Sequence, residues 1–291
     1  MSGAAATVRG QVRAISPAPP PRRPLSAAHS QLSVAAISAC HVVSLPPETQ
    51  LWIMLAGMAI TRQDLETDRL RASLCSTPVA SSLLPEAAFE GSLRATLDQR
   101  PDTPALAGDV WVFGYGSLIW NPMVVHTDRQ LATVHGYHRG FYLYSRINRG
   151  TWDSPGLVLG LDRGGSCHGV AFRIPHDMIE QEFRLLWRRE MLTGAYHPRW
   201  LNVKLAGSAP QPALAFVMNR GHEAYAGRLP DERVVACLRH AAGLYGPARE
   251  YLQQTLLGLA TNGVDDPYLG RLWRQLQDTD AASGPAAGTA A

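Results

Sequence analysis

Apolar positions are densest at residues 109–122, where Val110, Trp111, Val112 and Phe113 run straight into Gly114-Tyr115-Gly116. An unbroken apolar run ending in glycines predicts a buried strand followed by a tight loop. Residues 131–144 read as a strand bent near Gly136 or Gly140. Residues 156–161 and 168–174 read as two strands joined by a hairpin turn at 162–165, where Gly164 and Gly165 stand together. Two more strands are expected at 200–205 and 212–218. Helical periodicity marks 177–192, then 231–242 closing at Gly243, then 247–260 opening on Pro247, and finally 267–276. Strands in hairpin-like succession with helices between them predict an α+β fold on a mixed sheet or small β-barrel.

Ahead of residue 109 the periodic signal is weaker. Residues 61–108 hold short helical stretches, including 61–74 and 86–97, and end in the turn-rich Arg100-Pro-Asp-Thr-Pro104. They read as a lead-in to the core domain. Residues 1–57 are rich in Ala, Ser and Pro, and no periodic apolar face surrounds Pro17-Ala-Pro-Pro-Pro21, so disorder is expected. Met54 and Met58 stand just before the first helical stretch and are the expected physiological start, which makes residues 1–57 an extension. The Ala/Gly/Thr tail at 280–291 is likewise expected to be unstructured.

Charge narrows the classes of partner. Residues 1–57 carry Arg9, Arg13, Arg22 and Arg23 against Glu48, whereas 58–291 carry 23 basic and 23 acidic side chains. The basic excess thus belongs to the extension, and the neutral remainder has no nucleic-acid footprint. The longest early apolar window, residues 51–60, is ten residues long. That is well short of the roughly 20 needed to span a bilayer. Arg22 and Arg23 ahead of residues 32–43 leave a secretory leader as an alternative, with a long, Pro-rich charged region. Cys40, Cys75, Cys167 and Cys237 are far apart with no Cys-x-x-Cys pair, which fits reduced thiols in a cytoplasmic protein.

Two features carry candidate chemistry. Gly114 and Gly116 can take positive φ and remove side-chain bulk, so the amides between them can cradle an anion or a developing oxyanion. A dinucleotide fingerprint would need glycine at Ile119, and a nucleophile elbow would need serine at Gly116. A lone Gly-x-Gly is more often a plain turn, but Trp111, Phe113, Tyr115 and Trp120 crowd this one with pocket-wall material. The second feature is Glu190. Phe183, Leu186, Trp187 and Glu190 share one helical face, with Arg184 and Arg188 turned away. Desolvation on that apolar stripe would raise the carboxyl pKa towards the range of a general acid/base. On periodicity alone, an ion pair of Glu190 with Arg188, Arg189 or Arg199 at the stripe's edge has equal standing. His135 and His138 fall on opposite faces of their strand, and no His-Glu-x-x-His pattern occurs, so no metal site is expected. Ser117 has no histidine partner by spacing and reads as a hydroxyl donor rather than a nucleophile.

The motifs Phe113-Gly-Tyr-Gly-Ser-Leu-Ile-Trp120, Gly136-Tyr-His-Arg139, Arg149-Gly-Thr151, Pro155-Gly156 and Trp187-Arg-Arg-Glu190 stand in one order along the chain. With Gly243-Leu-Tyr-Gly246-Pro-Ala-Arg-Glu-Tyr-Leu252, they resemble the ChaC family of γ-glutamylcyclotransferases over residues 109–275. The resemblance implies a small β-barrel flanked by helices, with residues 109–279 as the catalytic domain behind a helical lead-in at 58–108. It also implies a cytoplasmic enzyme that converts glutathione to 5-oxoproline and cysteinylglycine without metal or cofactor. It matches Glu190 to the family's catalytic glutamate. Gly114, Tyr115, Gly116, Ser117, Leu118 and Ile119 match the substrate-binding loop, and Tyr251 matches a tyrosine near the substrate. Arg149 lies in a family motif and either touches substrate or packs. Three alternatives stay open: other γ-glutamyl peptides or amines as substrate, a non-catalytic regulator on the same scaffold, and an amide hydrolase using Ser117.

Overall fold

Five strands wrap into a barrel whose wall is made of the apolar runs: β1 (Val110–Gly114), β2 (Asp128–Ser145), β3 (Gly156–Ile174), β4 (Tyr196–Leu205) and β5 (Gln211–Met218). The computed structural model of the protein describes residues 60–103 and 106–283. The expectations for residues 1–57, including the start at Met54 or Met58 and the leader alternative, lie outside the described residues. The strand order is β1-β3-β2-β4-β5, and β5 returns to β1 as a parallel pair with Trp111 opposite Ala213. The other neighbours in that order run antiparallel. The fold is therefore α+β with a closed mixed barrel, as the strand and helix pattern predicts.

One strand expectation fails. The glycine pair at 164–165 makes no hairpin turn, and β3 runs through it, paired with β2 on both sides: Asp162 faces His138 and Ser166 faces His135. The register shifts there between His135 and Tyr137, with Gly136 at φ 80, Gly164 at φ 105 and Gly165 at φ 66. Locally, two adjacent glycines signal a turn. Here the partner strand supplies ladder bonds beyond them, so they serve as a bulge that bends a long pair around the barrel.

The helices are α1 (Arg62–Glu66), α2 (Arg69–Leu74), α3 (Glu86–Asp98), α4 (Ile179–Glu190), α5 (Asp231–His240), α6 (Ala248–Thr261) and α7 (Pro267–Ser283). The single stretch expected at 61–74 is split by Asp68, at φ 53, a left-handed conformation that aspartate tolerates. The last helix runs on through Ser283, past the expected start of the tail at residue 280. Leu269, Leu272 and Leu276 are fully buried along one face of it. Docking such a stripe lets the helix propagate beyond the point where composition alone reads as disorder. No helix among the described residues is long and apolar enough to cross a membrane.

The stripe on α4 is buried as its spacing predicts. Phe183 and Trp187 stack with ring centroids 6.1 Å apart, and Trp187 meets Phe216 of β5 edge-on at 5.5 Å. The indole N–H of Trp187 donates to Ser92 Oγ of α3 at 2.7 Å. Leu185 of α4 and Leu192 just beyond it pack with Leu65, Leu70 and Leu74 of the lead-in helices in a smaller apolar cluster. Also on α4, the fully buried Glu182 carboxylate accepts both Arg62 Nη1 and Nη2 at 2.8 Å and the Val125 N–H at 3.0 Å. Such a bidentate pair binds α1 to α4 through charge as well as apolar contact.

Removing one partner of a buried pair usually costs about 3–5 kcal/mol, less where one partner keeps solvent contact as Arg62 does. Arg62→Ala is expected to destabilise the protein by about 2 kcal/mol in urea denaturation. A change below about 0.5 kcal/mol, the ordinary surface range, would show that the pair does not hold the lead-in helices.

Candidate active site

The glycine loop is shaped by what presses on it. A Cβ on Gly114, at the end of β1, would lie 3.0 Å from Leu118 Cβ and 3.3 Å from Phe172 Cε2. One on Gly116 would lie 2.9 Å from the Tyr251 hydroxyl. Neither glycine has positive φ, and Gly116 sits at φ −135. Of the two properties expected of these glycines, the positive φ is absent and the removal of side-chain bulk is what the loop requires. Beyond Gly116 the chain makes one 3₁₀ turn, Ser117–Ile119. Among the described residues, the N–H groups of Gly116 and Ser117 have no internal acceptor.

A buried arginine holds this loop from behind. Arg139 Nη1 donates to the Tyr115 carbonyl at 2.6 Å, Nη2 donates to the His168 carbonyl, and Nε lies 2.7 Å from Asp266 Oδ2. The loop is thereby tied to β2, β3 and the start of α7.

Glu190 reaches the loop through its neighbour. The Arg189 guanidinium lies 3.0 Å from Glu190 Oε1 through Nε. The same group donates from Nη1 to the Asn121 carbonyl at 2.6 Å and from Nη2 to Ser117 Oγ at 2.7 Å. Of the three arginines that periodicity offered as partners, Arg189 is the one that pairs. The two alternatives for Glu190 prove compatible: its side chain is 15 % exposed and ion-paired, yet burial outweighs Arg189 and raises its pKa above the ordinary glutamate range. The hydrogen-bond partner of Ser117 is a guanidinium, which cannot accept a proton and so cannot activate the hydroxyl as a nucleophile.

These groups line a cavity of about 210 Å³. Tyr115, Gly116, Ser117, Leu118, Arg149, Glu190 and Tyr251 all reach it, while Gly114 and Ile119 stand behind its wall. Of the four aromatic residues expected as walls, Tyr115 and Trp120 line the cavity, whereas Trp111 and Phe113 are buried in the core. The sequence offered Arg189 only as a partner for Glu190, not as the link to Ser117 and Asn121, and sequence reasoning missed Tyr196 and the wall that Leu70, Leu74 and Val79 supply from the lead-in. The i, i+4 spacing of Leu70 and Leu74 was a visible signal of an apolar face. Tyr196, next to a turn, had none.

Three phenols surround the carboxylate, each pushed up in pKa first by burial and further by the Glu190 charge. Tyr251 is pushed up to about 12, and all three stay neutral at physiological pH. Tyr115 spends its proton on the Phe216 carbonyl at 2.8 Å and Tyr196 on the Leu159 carbonyl at 3.2 Å. Tyr251 instead accepts the Leu159 N–H at 3.3 Å, which leaves its own O–H free to donate. The guanidinium of Arg149 lies over that ring, 5.8 Å from the centroid, and Nη1 donates to the Pro247 carbonyl at 3.3 Å. Burial lowers the Arg149 pKa, so a bound anion would relieve an under-compensated charge. His135 and His138 bond separately, to Ser166 and to Gly164 and Tyr142. No group of three His, Cys, Asp or Glu side chains among the described residues is arranged to hold a metal.

The contact between Gly116 and Tyr251 generates a thermodynamic test. Tyr251 is hemmed in by Trp120 and Phe141, so it cannot swing away from an added methyl. Gly116→Ala is expected to cost about 1–3 kcal/mol, the usual range for overpacking. In a Tyr251→Phe background the same change should cost about 1 kcal/mol less, because the clashing oxygen is gone. Equal costs in the two backgrounds, measured by urea denaturation, would show that the glycine is not required by this hydroxyl.

The family model described as ChaC-like protein matches residues 110–278, more than half of the chain. The glutathione-specific gamma-glutamylcyclotransferase of Escherichia coli (strain K12) is 40 % identical over 180 residues, which cover 60 % of this chain and 76 % of that protein. The glutathione-specific gamma-glutamylcyclotransferase 1 of Mus musculus is 32 % identical over 147 residues, 49 % of this chain and 66 % of that protein. A solved structure of a yeast gamma-glutamyl cyclotransferase specific to glutathione superposes with a TM-score of 0.55 at 22 % identity, over 59 % of this chain and 96 % of that one. At that identity the likeness bears on the fold, and it agrees with the barrel seen here. From the extent of the family match and the identity to the bacterial relative, the chain belongs to the ChaC-like protein family.

Proposed function

We propose that the protein is a γ-glutamylcyclotransferase that cleaves glutathione into 5-oxoproline and cysteinylglycine, with Glu190 as its general base and acid. The observation that carries the proposal is Glu190 itself, a desolvated carboxylate facing the same cavity as a glycine loop with unspent amides. The relatives in E. coli and mouse bear the same activity in their names.

The substrate brings its own nucleophile. Its α-amine attacks the γ-carbonyl, an N–C bond closes a five-membered lactam, and the C–N bond to cysteine breaks. One proton leaves the amine and one reaches the departing nitrogen, so a single carboxylate can relay it. Holding the γ-glutamyl chain folded makes the attack intramolecular, and well-oriented reactions of that kind reach effective molarities of about 10⁵ to 10⁸ M. Proton relay typically adds about 10² to 10⁴ in rate.

In this scheme burial moves Glu190 towards a pKa at which it can both take and return a proton, and Arg189 keeps it ionised enough to start. Because Arg189 also grips Ser117 and Asn121, the carboxylate and the loop are held as one unit. The Gly116 and Ser117 amides and the free Tyr251 O–H are the proposed donors to the tetrahedral oxyanion. Loss of one such donor typically costs about 10² to 10³ in kcat. Arg149 is the proposed partner of the α-carboxylate, beside Tyr251. Nucleophile and leaving group share one molecule, so the scheme calls on no metal or cofactor. A cytoplasmic setting accompanies it, supported by Cys75, Cys167 and Cys237 being free thiols.

Glu190→Gln is expected to lower 5-oxoproline release from glutathione by about 10² to 10⁴ while the melting temperature stays close to wild type. A near-wild-type rate would sink the assignment. In the wild-type enzyme a protonated Glu190 cannot take the amine proton, so activity falls on acidification. Since burial raises its pKa, the acid limb of kcat/KM should lie above the ordinary glutamate value of about 4.3. A limb at or below that value would contradict the burial account. Equal turnover of γ-glutamyl-alanine would widen the substrate class beyond glutathione.

A further inference from the structure

Glutathione carries two carboxylates, one on the γ-glutamyl α-carbon and one on its terminal glycine. The cavity presents three guanidiniums, and Arg189 is already committed to Glu190. Arg146 and Arg149 also line it, and among the described residues neither is ion-paired with a carboxylate. Both stand at the start of the connection between β2 and β3, residues 146–155. Like charges in one cavity repel each other, and burial disfavours the Arg149 cation despite the charge of nearby Glu250, so a ligand that brings negative charge to both would be favoured.

The two differ in depth. Arg149 is 4 % exposed and stacked over Tyr251, the residue that touches the glycine loop, so it belongs with the reacting end of the substrate. Arg146 is only half-buried, and its guanidinium carbon lies 4.8 Å from the centre of the Trp152 ring, which is 48 % exposed. That places it towards the mouth. If the γ-glutamyl end must reach Glu190, the rest of the peptide extends away from the loop, and its terminal carboxylate comes last. A guanidinium held over an indole is positioned by the ring without using its N–H donors, which suits bidentate capture of a carboxylate.

We infer that Arg146, stacked on Trp152, binds the glycine carboxylate of glutathione and so separates glutathione from γ-glutamyl compounds that lack this group. The inference rests on the proposed function and adds its substrate selectivity. It concerns binding of the leaving dipeptide, so its mark is on KM rather than on the chemical step.

The test compares glutathione with its C-terminal glycinamide, which has the same reacting end and no terminal charge. Wild-type enzyme is expected to show a KM about 10-fold lower for glutathione, the scale of a partly exposed charge-assisted hydrogen bond. Arg146→Gln should raise the glutathione KM by about 10-fold with kcat nearly unchanged, and leave kcat/KM for the amide as it was. Arg146→Lys should recover part of the loss, and Trp152→Ala should raise the glutathione KM by a smaller factor. Equal loss on both substrates, or no loss on either, overturns the inference, as does a wild-type enzyme that treats the two substrates alike. A wild-type enzyme that cleaves neither overturns the proposed function, and the inference with it.

Discussion

Packing of Phe183 and Trp187 against the barrel sets the rotation of α4, and the site depends on that rotation. With both rings in the core and Trp187 meeting Phe216, every other side chain of the helix is assigned a direction. Glu182 turns to the lead-in helices and meets Arg62. Arg184 and Arg188 turn outward, to Glu90 and to the carbonyls of Leu65 and Glu66. Glu190, at the end of the same stripe, arrives where the stripe leaves the core and the cavity begins. A rotation by one residue, about 100°, would exchange a buried carboxylate for a buried guanidinium.

Arginine does most of the long-range tying. Arg62, Arg139 and Arg189 each combine a carboxylate with at least one backbone carbonyl, and so join segments 60 or more residues apart. A planar fork with five donors can satisfy several acceptors at once, whereas an ammonium offers a point charge. Burying such a group is costly, but the cost falls when every donor finds an oxygen, and the geometry then allows few alternatives. Around the cavity this has a consequence for function. The loop, the carboxylate and the phenols are held by bonds to one another and to the strands, which favours a site formed before substrate arrives.

Much of the architecture was legible in the sequence because it follows from local periods. Alternating and continuous apolar runs marked the barrel strands, and the 3.6-residue period put Glu190 on the face of Phe183, Leu186 and Trp187. The misread hairpin at Gly164 and Gly165 marks the boundary of that method: the same glycine pair makes a turn or a bulge according to whether a partner strand continues past it. Likewise, of the two reasons for glycine in the loop, the removal of side-chain bulk holds and the positive φ does not. Positive φ is a local property, whereas the Tyr251 hydroxyl that excludes a side chain at Gly116 belongs to a helix far along the chain.

By itself, then, the sequence determined which residues face inward, where the carboxylate stands on its helix, and that a glycine loop follows a buried strand. Only the tertiary structure decided that Arg189 joins that carboxylate to Ser117 and Asn121 and that Leu70 and Leu74 wall the cavity. It alone also left Arg146 and Arg149 without carboxylate partners among the described residues. The reason is one of range. Side-chain direction is set by backbone repeat within a few residues, whereas partnership is set by how distant elements close around a shared core, and no local period carries that information.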